Sequence, residues 1–408
     1  MHRRNLLAAA AAALALLGTV PRAPRTVIGT FALDVPSGPF LPGSRLTLSS
    51  SATSGPIAFD LLGPGDIENG AFIAPALASA QQSTIIASTP GAIALSEIRL
   101  VPAPAPHRPL LAVASYDSGI ALHDPQTFAL LGYVAIGGPP GDVAFSSAGD
   151  LLAPDTDGDT MIQVTRSPWH LLAHAQVPMG NEVVADPRTG ATFVSNRDVA
   201  GKGALTQIAA DGTVTRVITG ETAEGLALDS ARGAIYVGNV NDNTVAQINV
   251  RTMQIVRKIR SVERTFGMAL DADRQRLYVV SNTSKTMHSG GGYVAAIDLR
   301  KSSAPIVAKS ANMPFPLGAA LDEQRRRIFV TDEAADEVAV LDATTLRARA
   351  APLRTCRTPW RPRIVANRLY VPCARSNTVD VFDLRSLHRV KGAPFITGGF
   401  PLSVAVWP

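Results

Sequence analysis

One pattern recurs along the chain and limits its possible folds more than any other feature. A short apolar stretch ending in Leu-Asp leads through a turn to an aromatic-Val stretch. A polar loop follows, then a third apolar stretch that again ends in Asp or Asn. The clearest copies read GLALD (225–229), IYVGN (235–239) and TVAQIN (244–249), and next GMALD (267–271), LYVVS (277–281) and YVAAID (293–298). Then come GAALD (318–322), IFVTD (328–332) and VAVLD (338–342), and a last full copy with LYVPC (369–373) and TVDVFD (378–383). Weaker copies open at Asp142 and Glu182, and LLAVAS (110–115) starts a copy that lacks its own first strand.

The equivalent first-strand positions, aligned by pattern, are Asp142, Glu182, Gly225, Gly267, Gly318, Arg363 and Ser403. They are separated by 40, 43, 42, 51, 45 and 40 residues. The long step holds an insertion between strands, within 281–292. A repeat of this length, built from about four short β-rich segments, is the signature of propeller blades. The chain ends complement each other: PLSVAVW (401–407) is a first strand with nothing after it, and 110–115 lacks one. Pairing them predicts an all-β fold, a seven-bladed β-propeller over 110–408 closed by the strand 401–407, with no exposed inner edge.

The motifs IYVGN, IFVTD and FVSN (193–196) resemble the YVTN family of WD40/YVTN-like β-propellers, over roughly 107–408. That resemblance implies the propeller fold. Such propellers serve as surface-layer modules, as lactonases and as substrate domains of quinone-dependent amine dehydrogenases. It therefore implies a binding or interaction module presenting a ligand or partner surface at the channel mouth, or alternatively a lactonase-like hydrolase acting on a small cyclic ester. Residues 24–103 lack the period and read as short alternating strands. Within them GPGDIENGAFIAP (63–75) resembles a bacterial Ig-like motif, implying an N-terminal Ig-like β-sandwich. The Pro-rich stretch 102–109, with 104–109 as the linker proper, reads as a semi-rigid spacer, so the propeller is expected to fold without what precedes it. The other reading is an irregular extension packed on the propeller.

Residues 1–23 read as a signal peptide. A basic start with Arg3-Arg4 precedes a 13-residue apolar run at 6–18, too short to span a bilayer. Sec and twin-arginine export both fit, and a periplasmic or secreted location follows. No later run of apolar residues is long enough for a membrane span. The formal charge of +5 over 408 residues is too small and dispersed for nucleic acid. The expected partner is a protein or small molecule, and the chain is expected to be a monomer.

Candidate chemistry collects at the propeller face where loops converge. Asp142 and Glu182 lie on neighbouring blades with Arg363 elsewhere in the same ring, the three glycines leave space, and Glu224 stands beside Gly225. Carboxylates facing an arginine bind a polar metabolite, or, in a hydrolase, place Glu182 or Glu224 as base and Arg363 on the oxyanion. A second ring ends the second strands and includes Asn239 as a ligand-binding candidate. His288 sits in the glycine-rich insertion, and Trp360 lies among the arginines of 354–363, a rim suited to an anion or a ring. Asp155, Asp157 and Asp159 offer hard oxygens for Ca²⁺, though Asp-Gly is also ordinary turn chemistry; no other cofactor is expected. The repeated Asp229, Asp271 and Asp322 read as turn caps. Cys356 and Cys373, the two cysteines of the chain, fall in the last blade, where export allows a disulfide. No haem-c, nucleophile-elbow, Walker or HExxH motif occurs.

Overall fold

Alternating apolar and polar residues, broken every few positions by Gly, Asp, Asn and Pro, produce strands along nearly the whole chain. A computed structural model describes residues 25–28, 33–35, 38–50, 57–90, 92–283 and 291–408. The expected signal peptide, 1–23, and His288 lie outside them. Among the described residues the helical content is one 3₁₀ turn, Ala374–Ser376, and no helix is long and apolar enough to cross a membrane.

The repeat region forms four-stranded antiparallel sheets, all but the first built from four consecutive strands, and the fold is a β-propeller. Among the described residues there are seven such sheets after residue 109. In chain order they span 110–134, 144–176, 180–220, 223–260, 265–309, 316–354 and 363–396, and are called the first to the seventh. The first is completed by Pro401–Trp407, which pairs antiparallel with Leu110–Ser115. The inner strand of each sheet packs on that of the next, and Arg363–Val365 packs on Pro401–Trp407.

The core lies between sheets rather than within one layer. One hydrophobic cluster joins Tyr236 and Val245 of the fourth sheet to Val279 and Ile297 of the fifth. Another joins Val113 and Phe128 of the first to Tyr370 and Phe395 of the seventh. The repeated aromatics Phe193, Tyr236, Tyr278 and Phe329 are buried in these seams. Tyr278 also donates its hydroxyl to the Ala343 carbonyl of the adjoining sheet at 2.6 Å. The repeated aspartates cap turns: Asp229, Asp271 and Asp322 each accept the backbone N–H three residues on, at 3.0, 3.0 and 3.1 Å.

The residues before the repeat build a second core. The strands Gln81–Thr89 and Ala92–Leu100 form a hairpin flanked by Arg25–Ile28 and Ala58–Leu62. Leu46, Phe72, Ile85, Ile98 and Leu100 pack together within it. The spacer expectation needs correction, because this unit is fastened to the propeller directly. The segment around 39–45 runs along the outer edge strand Leu130–Val134 of the first sheet. Tyr133 N–H donates to Pro39 O at 2.8 Å, Leu41 N–H to Tyr133 O at 2.8 Å and Arg45 N–H to Ala135 O at 2.7 Å. Trp169 Nε1 of the second sheet donates to Pro42 O at 2.9 Å. An otherwise open sheet edge is thereby covered.

Candidate functional site at the channel mouth

A bulge near the start of the inner strands builds the mouth. In the third sheet Gly180 pairs with Asn196 but the ladder resumes only at Val183 with Val194. The fourth, fifth and sixth sheets break alike, between Ala223 and Leu226, Thr265 and Met268, and Pro316 and Ala319. The skipped residues, including Asn181, Glu182 and Glu224, leave the ladder, and a bulge of this kind re-aims side chains. Pro140 opposite Asp155, Pro359 opposite Cys373 and Pro401 opposite Ser115 extend the same register to the other sheets. Two residues on, the ring reads Asp142, Glu182, Gly225, Gly267, Gly318, Arg361 and Ser403. Arg361, not Arg363, takes the ring position of the seventh sheet. Pro359 and Pro362 cannot donate to the ladder, so its paired inner strand starts late, at Arg363, and misleads an alignment by strand pattern.

The ring glycines do not leave space, contrary to the reading from sequence. A Cβ at Gly225 would run into the Phe266 carbonyl, one at Gly267 would lie 2.5 Å from Leu317 O, and one at Gly318 2.5 Å from Pro362 Cδ. They are glycines because neighbouring inner strands approach closely there.

Arg361 reaches across the channel. Its Nε meets Glu182 Oε1 at 3.0 Å and one terminal nitrogen lies 3.7 Å from Glu224 Oε2. The terminal nitrogens also donate to Gly141 O at 2.9 Å and Asn181 Oδ1 at 3.0 Å. Asn181 Nδ2 donates to Glu224 Oε2 at 2.6 Å, and Arg197 Nε stands 2.7 Å from Glu224 Oε1. Leu226 N–H donates to Glu182 Oε2 at 2.8 Å. Asp142 accepts the backbone N–H of Val143 and Val183 at 2.9 and 3.1 Å and pairs with Arg363 at 3.3 Å. Three carboxylates thus meet three guanidiniums in a network linking the second, third, fourth and seventh sheets, buried at the carboxylates and Arg361 and partly exposed at Arg197 and Arg363.

Burial pushes the Glu182 carboxyl above its usual range, opposed by Arg361 and Arg363. Burial also works against the charge on Arg361, but Glu182, Asp142 and Glu224 outweigh it and hold the guanidinium above its ordinary value. Both Glu182 oxygens already accept an N–H, one from Arg361 and one from the Leu226 backbone, so neither is presented to a water as a base would need.

The other candidates are dispersed. Asn239 faces inward, accepting Thr219 Oγ1 at 2.8 Å and donating to Thr244 Oγ1 at 3.0 Å. Asp155 accepts the Gly158 N–H at 2.9 Å, while Asp159 accepts that of Met179 at 2.8 Å. Asp155 thus closes a local turn while Asp159 ties down a segment twenty residues on, and among the described residues no three His, Cys, Asp or Glu side chains are grouped to hold a metal. Trp360 lines the mouth, its ring edge-on to Phe400 at 6.0 Å, and Phe400 meets Tyr116 at 6.4 Å. Cys356 and Cys373 form a disulfide, their Cα atoms 5.7 Å apart.

Reasoning from sequence missed Arg361, Asn181, Arg197 and Glu333. Tyr116, Arg197 and Glu333 directly follow Ser115, Asn196 and Asp332, the equivalent register positions of their second strands, a periodic place that the repeat itself marks. Glu333 is buried, and burial pushes its carboxyl up to about 7, with Arg375 opposing and Asp332 and Asp336 adding. A cavity of about 400 Å³ lined by Gln324, Arg325, Arg326, Arg327 and Arg349 lies away from this mouth, at the turns following the inner strand and the third strand of the sixth sheet. Its arginines are already engaged, Arg325 and Arg327 on Asp322, Arg349 on Asp342 and Arg326 on Thr344.

No protein-family model matches the chain. It is 26% identical over 188 residues to the uncharacterized protein YncE of Salmonella typhi, and equally so to that of Salmonella typhimurium; the match covers 44% of this chain. The chain spans about half the length of these curated relatives, 50%. Among solved structures it is similar to a 6-phosphogluconolactonase-like protein of Bacteroides fragilis (TM-score 0.59, 13% identity, 75% of this chain and 100% of that one). It is likewise similar to a functionally unknown protein from Desulfotomaculum acetoxidans (0.58, 14%, 73% and 98%) and to Kuenenia stuttgartiensis hydrazine synthase (0.56, 14%, 70% and 97%). These likenesses carry the propeller fold and, at such identities, nothing of activity.

Proposed function

We propose that the chain is an exported binding module: a seven-bladed, YncE-like propeller carrying an N-terminal Ig-like sandwich and presenting a ligand surface at one mouth of its channel. The count of seven rests on the seven four-stranded sheets and the succession of packed inner strands. The sandwich reading rests on a separate core with its own hairpin. Export, to the periplasm or beyond, rests on the sequence of 1–23 together with the disulfide. The observation that carries the functional reading is the Arg361 network. It spans the channel, satisfies its own charges and so makes a floor, above which Trp360, Phe400 and Tyr116 form an aromatic wall. A rigid polar floor beside an aromatic wall is the makeup of a binding site.

The competing reading is a lactonase-like hydrolase using Glu182 or Glu224 as base. Its support is the fold shared with a 6-phosphogluconolactonase-like protein. Against it, each carboxylate is occupied by arginine, amide or backbone N–H donors. Incubating the purified protein with 6-phosphogluconolactone and with simple γ- and δ-lactones is expected to give no hydrolysis above buffer. Turnover that disappears in Glu182→Gln would overturn the binding-module reading. A thermal-shift screen of small polar and aromatic compounds is expected to find ligands that raise the melting temperature of the native protein but not that of Trp360→Ala.

A further inference from the structure

Glu333 stands outside the Arg361 network. It follows Asp332 at the end of a second strand, in the register position that Arg197 and Tyr116 hold at the same mouth. Its backbone is fixed by a bond from its N–H to Phe315 O at 2.9 Å. The residue is 8% exposed, yet no hydrogen bond from a described residue reaches its carboxylate, and its neighbours act on it only through their charges. A largely buried carboxylate that no protein donor occupies is open to a cationic partner.

Two orphan atoms belong to the same two segments of the mouth. Asp332 Oδ1 takes the N–H groups of Phe315, Ala334 and Ala335 at 3.0, 3.2 and 3.2 Å, but its buried Oδ2 has no partner. Trp360 Nε1 is buried and unpartnered as well. The turn holding Glu333 is tied to the segment that leads into Trp360. Thr355 N–H donates to Asp336 O at 3.0 Å and Thr358 N–H to Asp336 Oδ1 at 2.7 Å. Acid and indole are therefore carried by two segments bonded to each other.

We infer that Glu333 and Trp360 together receive the ammonium group of a small organic cation, the carboxylate taking its charge and the indole its face. This rests on the reading of the mouth as a binding site and names its ligand class. Carboxylate plus aromatic face is the usual recognition of organic ammonium. A metal ion is disfavoured because Asp332 Oδ1 and Asp336 Oδ1 already accept backbone N–H groups, and among the described residues no three such side chains are grouped to hold one. An anion is disfavoured because Asp332, Glu333 and Asp336 in one turn outnumber the nearby charge of Arg375.

The test uses the full mature chain and calorimetric titration with benzylammonium, benzyl alcohol and benzoate, three probes of similar size and different charge. Benzylammonium is expected to bind roughly tenfold tighter than benzyl alcohol or more. Glu333→Gln is expected to abolish that preference without lowering the melting temperature, and Trp360→Leu to weaken both probes. If benzyl alcohol or benzoate binds as well as benzylammonium and still depends on Trp360, the cation assignment fails while the mouth remains a binding site. A preference that survives Glu333→Gln, or no binding by any probe, overturns the proposal too; the thermal-shift screen then judges the mouth separately.

Discussion

Arg361 is the residue on which the mouth turns, and its role is structural before it is anything else. Removing one member of a buried ion network leaves the others charged and desolvated, which typically costs 3–5 kcal/mol. Arg361→Gln is expected to lower unfolding free energy by about 3 kcal/mol or more, and adding Glu182→Gln to restore part of it; strict additivity in denaturant titrations would deny the coupling. His123 gives a second test at this scale. It is buried at the seam of the first and seventh sheets, 3.0 Å from Phe128 O and 3.1 Å from Thr397 Oγ1. Burial pulls its pKa down to about 4, against the hydrogen bond to Phe128. The folded protein therefore keeps the imidazole neutral while the unfolded chain takes up a proton below about pH 6.5. This contribution is whole above pH 6.5 and is lost as pH falls towards 4, amounting to at most about 3 kcal/mol. His123→Gln should flatten the fall in urea midpoint between pH 7 and pH 4.5; an unchanged slope would refute the assignment.

Among the elements, the inner strand of the seventh sheet is weakly paired, with three residues in its ladder where Ala144–Phe145 of the second sheet has two. Only Arg363–Val365 joins the ladder, against seven residues in Pro316–Asp322 of the sixth sheet. Pro359 and Pro362 supply no N–H, and the segment is held instead by Trp360 N–H on Pro372 O at 2.8 Å and by the Cys356–Cys373 disulfide. That bond closes a short loop, at a sequence separation of 17, and a loop of this size is worth about 3 kcal/mol. Because the same segment carries Trp360 and Arg361, the double Cys→Ser variant should lower the melting temperature by several degrees and weaken probe binding at the mouth. Binding that is unaffected in a fully folded double variant would separate the disulfide from the site.

At the scale of the whole molecule, both ends of the propeller sequence are held by pairing, and each can be tested by deletion. Removing 400–408 takes the inner strand from the first sheet and its packing against the second and seventh sheets, and is expected to leave little soluble protein. The sequence pattern also leads one to expect that the chain tolerates loss of everything before residue 104. The backbone bonds of Pro39, Leu41 and Arg45 to the first sheet lead to the opposite expectation. Removing 25–103 bares the edge Leu130–Val134, so that variant should melt several degrees lower and associate on size-exclusion chromatography. A monomer with native melting temperature would mean that the contact is incidental.

The repeat alone was enough to read the all-β class, the propeller and the identity of its closing strand, since periodic apolar strands, aromatic seams and Asp turns are local chemistry repeated. The carboxylates Asp142, Glu182 and Glu224 were legible too, because they break an otherwise regular pattern. What the sequence could not show was how these residues pair. Two skipped ladder positions and two prolines decide that Arg361 rather than Arg363 faces Glu182, and a bulge is a property of two strands together. The glycine ring was misread for the same reason: a glycine marks a missing side chain but not whether open space or a neighbouring strand takes its place. The N-terminal unit reads as a spacer until its strand-edge bonds are seen, because backbone N–H and C=O groups are alike at every residue. Only tertiary structure tells which of them meet.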